Sequence, residues 1–243
     1  MGRKPKVIGI IMTYNCAQML KETFDNLPKE QFDQIIVVDD GSKDQSVEVA
    51  KSLGLPVFTH PHGGYGVNIR YGLKKARAMG ADYMVEIHGD GQYDPSVIPQ
   101  ALAKMREGKY DLLMGSRFIY PKQALADGMP IERFLANIAM SFINRRLFQI
   151  PLSEFYNGFR IYGKNLVGKV KFRGTADNYF YTFQIIIQAK YHNFRIGEIP
   201  VRCNYHKKHT SESFWAAAVH SIETLGLFVL YSLARLGFKT AIF

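Results

Sequence analysis

The chain has 243 residues, enough for one large domain or two small ones around a substantial core. Its composition, 47% hydrophobic and 21% charged, is that of a globular protein and excludes a disordered, fibrous or low-complexity chain. The formal net charge is +10, yet no recognition-helix, zinc-finger or aromatic RNA-binding signature accompanies it, so nucleic acid is not an expected partner.

The charge is unevenly spread. Residues 121–243 hold 16 Lys and Arg against 7 Asp and Glu, a net of +9. Such a half is a solvated basic surface, or it faces an anionic membrane or a phosphorylated substrate. Cys16 and Cys203 lie far apart and share no metal-ligand spacing, as expected of idle thiols in a reducing compartment. The apolar run after the basic N-terminus ends at Thr13; it is short for a signal peptide and suits a first strand. The expected setting is cytosolic.

In chain order, a strand is expected over 7–12, ending in Thr13-Tyr14-Asn15, then a helix over 17–27. A second strand over 34–38 ends in Asp39-Asp40-Gly41-Ser42, and Ser42 or Asp44 can cap a helix over 46–53. A third strand over 55–59 leads into His62-Gly63-Gly64-Tyr65-Gly66 and a helix over 67–79. The fourth strand, 83–87, delivers the turn His88-Gly89-Asp90-Gly91-Gln92-Tyr93-Asp94-Pro95 and a helix over 96–107. A fifth strand, 112–114, ends in Gly115-Ser116-Arg117. Continuous apolar strands alternating with helices specify a mostly parallel sheet flanked by helices on both faces. The polar residues cluster just after each strand, at the carboxyl edge where open α/β sheets bind ligands.

Beyond residue 120 the pattern changes. A helix over 131–148 carries Arg133, Asn137, Arg145 and Arg146, and a loop over 151–160 contains Glu154 and Asn157-Gly158-Phe159-Arg160. An apolar stretch over 179–189 and a strand over 195–205 follow. The tail, 214–243, is strongly apolar, but Glu223 and Arg235 leave too short an uncharged run for the roughly 20 residues that span a bilayer. It reads as a packed helix or as an interfacial amphipathic one.

The ordered set Thr13-Tyr14-Asn15, Asp39-Asp40-Gly41-Ser42, Gly64-Tyr65-Gly66 with Arg70-Tyr71-Gly72, the turn at Asp90, Gly115-Ser116-Arg117, Asn157-Gly158-Phe159-Arg160 and Gly197-Glu198-Ile199-Pro200-Val201 resembles the family-2 inverting glycosyltransferases of the GT-A fold. The polyisoprenyl-phosphate branch, typified by dolichyl-phosphate mannosyltransferase, looks most similar. The resemblance covers about 7–213. It implies a GT-A domain over 1–213, with a nucleotide-sugar-binding half (1–120), an acceptor-binding half (121–213), and an appended tail (214–243).

It also implies roles. Thr13, Tyr14, Asn15, Asp39, Asp40, Gly41, Ser42, Gly64, Gly66, Arg70, Gly89 and Asp90 would hold the nucleotide sugar. Glycine at 64 and 66 lets backbone approach a ligand closely or makes a simple tight turn. The family's Asp-x-Asp metal motif matches His88-Gly89-Asp90, so only the second acid is present. Asp90 would carry Mn²⁺ or Mg²⁺ bound to the diphosphate, with Gln92 reaching the same ion. His88 would ligate Mn²⁺ through imidazole, or hydrogen-bond the sugar or a water. Glu154 stands where many members carry Asp, its carboxylate moved by about one methylene, and would serve as a base for a hydroxyl acceptor. Arg117, Arg133, Arg160 and Arg202 match or neighbour positions that hold an acceptor phosphate, for which the guanidinium fork is suited. The implied activity is transfer of a hexose from a nucleotide-diphosphate sugar (GDP-mannose or a UDP-hexose) to a polyprenyl phosphate, by a protein peripheral on the cytosolic face of a membrane. The alternatives are a soluble transferase acting on a sugar or protein hydroxyl, and an inactive sugar-nucleotide-binding scaffold.

Overall fold

A computed structural model of the protein describes residues 3–203, residue 205 and residues 214–243. The strands are β1 (Val7–Thr13), β2 (Gln34–Asp39), β3 (Val57–Thr59), β4 (Tyr83–His88), β5 (Leu112–Ser116), β6 (Arg160–Gly163) and β7 (Ile196–Pro200). The helices are α1 (Ala17–Asp25), α2 (Ser46–Ser52), α3 (Tyr65–Ala78), α4 (Ile98–Glu107), α5 (Pro121–Ala126), α6 (Ile131–Phe148), α7 (Lys164–Lys169), α8 (Phe180–Tyr191) and α9 (Phe214–Arg235). All seven strands form one sheet in the order β3-β2-β1-β4-β6-β5-β7. Both expected halves of the domain therefore contribute to a single sheet.

The pairing is parallel except at β6, which runs antiparallel to β4 and β5 on either side. Its first residue, Arg160, was expected to end the loop over 151–160, and no element was expected over 161–163. A strand of four residues that opens on arginine and closes on glycine has too short an alternation to be seen in sequence. Helices α5 and α7 were likewise not expected, each being little more than one turn of an amphipathic pattern.

Alternation within each apolar strand feeds two cores, as a sheet covered on both faces requires. Ile8, Ile10, Ile36, Val38 and Met84 pack with Ile69 and Leu73 of α3 and with Phe183, Ile186 and Ile187 around α8. Val7, Ile11, Ile35, Val37, Val85 and Ile87 pack on the other face with Leu20 of α1 and Leu102 and Met105 of α4. Expected boundaries shift where capping and proline intervene. Asp94 accepts from the Ser96 amide at 2.9 Å, so the chain before α4 begins as a tight 3₁₀ turn at Pro95. β7 stops at Pro200 rather than running to 205, and the part of that expected strand at 204 lies outside the described residues. Asp44, not Ser42, receives the Ser46 amide at the start of α2, at 3.0 Å.

Candidate active site

Parallel pairing lines up the ends of the strands. Thr13 lies in register with Asp39, and Met12 with His88, so β1, β2 and β4 present their following turns side by side at the carboxyl edge of the sheet. β5 brings Gly115-Ser116-Arg117 to the same edge, and because β6 is antiparallel its start brings Asn157-Gly158-Phe159-Arg160 there too. The reversed strand that sequence patterning missed is what places this last motif at the site.

Asp39 and Asp40 are both buried. Asp39 accepts from the Thr13 hydroxyl at 3.0 Å and from the Ser42 amide at 2.9 Å. Asp40 accepts from the amides of Gly63 and Gly64 at 2.8 and 3.0 Å, and His62 Nδ1 stands 2.9 Å from its carboxylate. Tyr14 stacks on His62 with ring centroids 4.4 Å apart, forming an exposed aromatic shelf beside Asp40. Asn15 sits at φ 50° and accepts from the Lys43 amide at 2.8 Å, while Ser42 Oγ accepts from the Asn15 amide. Gly41, at φ 68°, makes the turn that permits these bonds. This part of the site is pre-organised: the expected nucleotide-contacting groups hold one another in place.

Gly64 and Gly66 meet protein at close range. A Cβ on Gly64 would lie 2.7 Å from the carbonyl oxygen of Asp177, and one on Gly66 would lie 2.5 Å from that of Ala176. The Gly66 amide donates to the Asp177 carbonyl at 2.7 Å. Arg70, one turn along α3, clasps the same loop through Thr175 Oγ1, the Ala176 carbonyl and the Asp177 carboxylate. These positions join α3 to the 174–178 loop that borders the site.

The turn after β4 rests on a buried polar cluster not anticipated from sequence. Glu86, fully buried within the strand, accepts from the Tyr65 hydroxyl, from Tyr162 Oη at 2.6 Å, and lies 3.2 Å from His88 Nε2. Burial opposes its ionisation, but the hydrogen bond and charge of His88, the charge of Arg160 and the Tyr162 bond outweigh it and hold its pKa below the usual carboxylate range. Arg160, the cross-strand partner of Glu86, is fully buried and its guanidinium has no hydrogen bond to protein. A charged residue inside an otherwise apolar strand was the available signal for this cluster.

His88 is therefore turned inward. Its Nε2 faces Glu86 and the Tyr65 hydroxyl, 3.4 Å away, which leaves Nδ1 as the nitrogen for the metal-ligand role expected of it. Tyr93 meets the ring edge-on at 5.1 Å and accepts from the Gly158 amide at 2.8 Å. Gly89 is needed because a Cβ would stand 2.8 Å from the Met12 carbonyl oxygen and 2.9 Å from Cys16 Sγ. Burial pushes the Cys16 thiol up to about 11 and the Cys203 thiol up to about 12, in keeping with idle thiols.

Among the described residues no three His, Cys, Asp or Glu side chains gather into a metal cage. Asp90, half-buried on the turn and receiving the Gln92 amide at 3.1 Å, offers a carboxylate with the Gln92 side chain two residues on. That donor set fits a hard divalent cation that takes its remaining ligands from phosphate oxygens and water.

Arg117 is buried at the end of β5. Its Nε donates to Glu154 Oε1 at 2.8 Å, its amide to Glu154 Oε2 at 2.7 Å, and Nη1 to Tyr205 Oη at 2.6 Å; Nη2 also pairs with Glu154. Burial works against the Arg117 charge, but Glu154 more than compensates and holds its pKa well above the ordinary value. Both oxygens of Glu154 are thus committed, which sets it apart from the accessible base that its position led us to expect. Arg202 is exposed and paired with Asp127 at 2.6 Å, and Arg133 is half-buried on α6. The four arginines expected at an acceptor phosphate are distributed rather than clustered: Arg160 beneath the turn after β4, Arg117 and Glu154 beside it, Arg202 at the rim, Arg133 on a separate helix.

The neighbouring motifs are knitted together. Ser116 Oγ and Ser153 Oγ are 2.6 Å apart, and Glu198 of β7 accepts from the Ser153 amide and hydroxyl at 2.7 and 2.8 Å.

Known proteins are similar to this chain in sequence and in fold. The chain is 28% identical over 214 residues to the UDP-N-acetylglucosamine–dolichyl-phosphate N-acetylglucosaminyltransferase of Methanococcus voltae, across 81% of this chain and 84% of that one. It is 28% identical over 207 residues to an uncharacterised protein of Methanocaldococcus jannaschii, across 83% of each. In fold it is similar to glucosyl-3-phosphoglycerate synthase from Mycobacterium tuberculosis, a GT-A enzyme crystallised with Mn²⁺, UDP-glucose and phosphoglyceric acid; the TM-score is 0.68 at 15% identity, covering 98% of this chain and 81% of that one. Residues 10–171 match the family described as Glycosyl transferase family 2, and the chain belongs to that family.

Proposed function

We propose that this glycosyltransferase moves a hexose from a nucleotide-diphosphate sugar to a polyprenyl phosphate at the cytosolic face of a membrane. The observation that carries the acceptor reading is the closed pair of Arg117 and Glu154. A hydroxyl acceptor needs a carboxylate to take its proton. A lipid monophosphate is already anionic and needs cations instead, and here the expected base is spent on orienting one. The Methanococcus voltae relative, named for a dolichyl-phosphate acceptor, supports the same class.

In this reading Asp39 and Asp40 receive the base and ribose beside the Tyr14–His62 shelf, and Asp90 with Gln92 would hold Mn²⁺ or Mg²⁺ for the diphosphate. The ion would stabilise charge developing on the leaving diphosphate. An acceptor phosphate oxygen attacks the anomeric carbon as the bond to the diphosphate oxygen breaks, in line and with inversion. Arg117 and Arg133 supply positive charge on the acceptor side. Arg160 balances Glu86 beneath the turn.

The test is incorporation of label from UDP-N-acetylglucosamine, UDP-glucose or GDP-mannose into butanol-extractable polyprenyl phosphate. Label in the lipid with one donor supports the proposal. Label passing with every donor only to a soluble sugar, protein or phosphoglycerate acceptor favours the second reading, a soluble family-2 transferase. Donor binding without any turnover would leave the scaffold reading.

A further inference from the structure

Helix α6 leaves a second apolar stripe outside the core. A surface helix normally turns its apolar stripe to the core. Here the residues α6 buries include Ser141 and Asn144, while Ile131, Leu135, Ile138 and Phe142 are 56, 59, 36 and 53% exposed. Their spacing of four, three and four places them along one face. Ser141 Oγ and Asn144 Oδ1 have no hydrogen-bond partner in the structure, so the inward face is the less well satisfied of the two.

Helix α9 repeats the exposure. It buries Leu227 and Ala234 and leaves Ile222, Leu225, Val229 and Leu233 facing outward. The helices meet at Phe148 near the end of α6, whose ring lies edge-on to Phe228 and Tyr231 of α9, 5.6 and 5.8 Å away. Eleven of the seventeen large hydrophobics exposed among the described residues sit on these two helices. A soluble monomer rarely leaves so many large apolar side chains exposed along two of its helices. Among the described residues, no helix is long and apolar enough to cross a membrane.

Charge selects the occupant. Exposed Arg145 and Arg146 close the α6 stripe, Arg146 lying 5.2 Å over the Phe142 ring, and Arg133 flanks its start; Arg235 and Lys239 close the α9 stripe. Glu132 and Glu223 are the acids on the same stretches. Apolar side chains bordered by long cations that can reach headgroup phosphates are the pattern of a segment lying in a bilayer interface. We propose that the outer faces of α6 and α9 form the surface on which this protein lies against an anionic bilayer. The inference rests on the lipid-phosphate reading above for its purpose, but not for its observation.

The test is flotation of the full-length protein with vesicles of neutral lipid and of neutral lipid with about 30% anionic lipid. The variants are Leu135→Glu/Phe142→Glu and Ile222→Glu/Leu225→Glu, all at exposed positions. The expected result is flotation favoured by anionic lipid and weakened by salt. Each double variant should bind at least tenfold more weakly, while transfer to a short-chain, water-soluble prenyl phosphate stays within twofold of the parent. Failure of the parent to float, or variants that float equally well, would overturn the proposal. So would a parent dimer that the variants split into monomers without vesicle binding, which would assign the surface to a second copy. Vesicle binding with no lipid phosphate accepting sugar would sink the acceptor reading and leave the surface standing; transfer to a lipid phosphate in detergent without vesicle binding would do the reverse.

Discussion

The imidazole of His88 rests on the backbone of Gly158: a Cβ at that glycine would stand 2.7 Å from Cε1 and Nε2 of the ring. His88 and the glycine of the Asn-Gly-Phe-Arg motif are thus sterically matched. Gly158→Ala should destabilise the protein by about 1–3 kcal/mol, the range for overpacking a filled site. Combined with His88→Ala, the two changes should be less than additive, because each relieves the same contact. Thermal unfolding of the four proteins checks this, and strict additivity would show that the contact does not matter.

Glu154 and Arg117 should behave as a buried pair. Arg117→Ala leaves a buried carboxylate uncompensated and should lower stability by about 3–5 kcal/mol, the range for breaking such a pair from one side. Glu154→Gln should impair transfer to a phosphate acceptor by less than about tenfold. Loss of a general base would cost about 10²–10⁴-fold. The kcat of the Gln variant, measured with a prenyl phosphate, separates an orienting role from a base.

Asp90→Ala should reduce turnover by about 100-fold or more, the scale expected when a group stabilising transition-state charge is removed. Titration of the parent with a nucleotide diphosphate should show tighter binding with Mn²⁺ or Mg²⁺ than after chelation, and the variant should lose that difference. Equal binding with and without metal in the parent would remove Asp90 from the role given to it.

Asp82 ties the start of β4 to its surroundings: it accepts from the Lys6 amide at 2.8 Å and pairs with Arg3 and Lys164 at 2.8 and 2.6 Å. Burial raises its pKa, but these partners outweigh it and hold it below the ordinary value. Its folded pKa is lowered, so its contribution is present above the unfolded carboxylate pKa of about 3.9 and is lost as pH falls through the folded value. Asp82→Asn should lower stability near neutral pH by about 1–2 kcal/mol, with the gap to the parent closing as pH drops below about 4. Denaturant midpoints at pH 7 and pH 3 measure both.

Much of the fold was legible because the chemistry is local. The apolar runs ending at Thr13, Asp39, His88 and Ser116 each announce a buried parallel strand and each put a polar turn at its end. β6 was hidden because four residues carry no usable period, and its reversal is a tertiary choice made by pairing with β4 and β5. At the site, residue identities were readable but partners were not. Nothing in sequence says that Glu154 faces Arg117, that Arg70 clasps the 174–178 loop, or that His88 turns toward Glu86. Long-range pairings of this kind are set by topology. The outward apolar face of α6 was not read from the sequence, because a helical pattern does not reveal which side of a helix meets the core.

The central claim is transfer of a hexose onto a lipid phosphate with inversion. Its most direct test is ³¹P and ¹H NMR of the product formed from a prenyl phosphate, a divalent metal and the donor that labels lipid. The account expects one sugar–phosphate diester whose anomeric configuration is opposite to that of the donor. An unsubstituted phosphate alongside a hydroxyl-linked glycoside, or a diester with retained configuration, would contradict it.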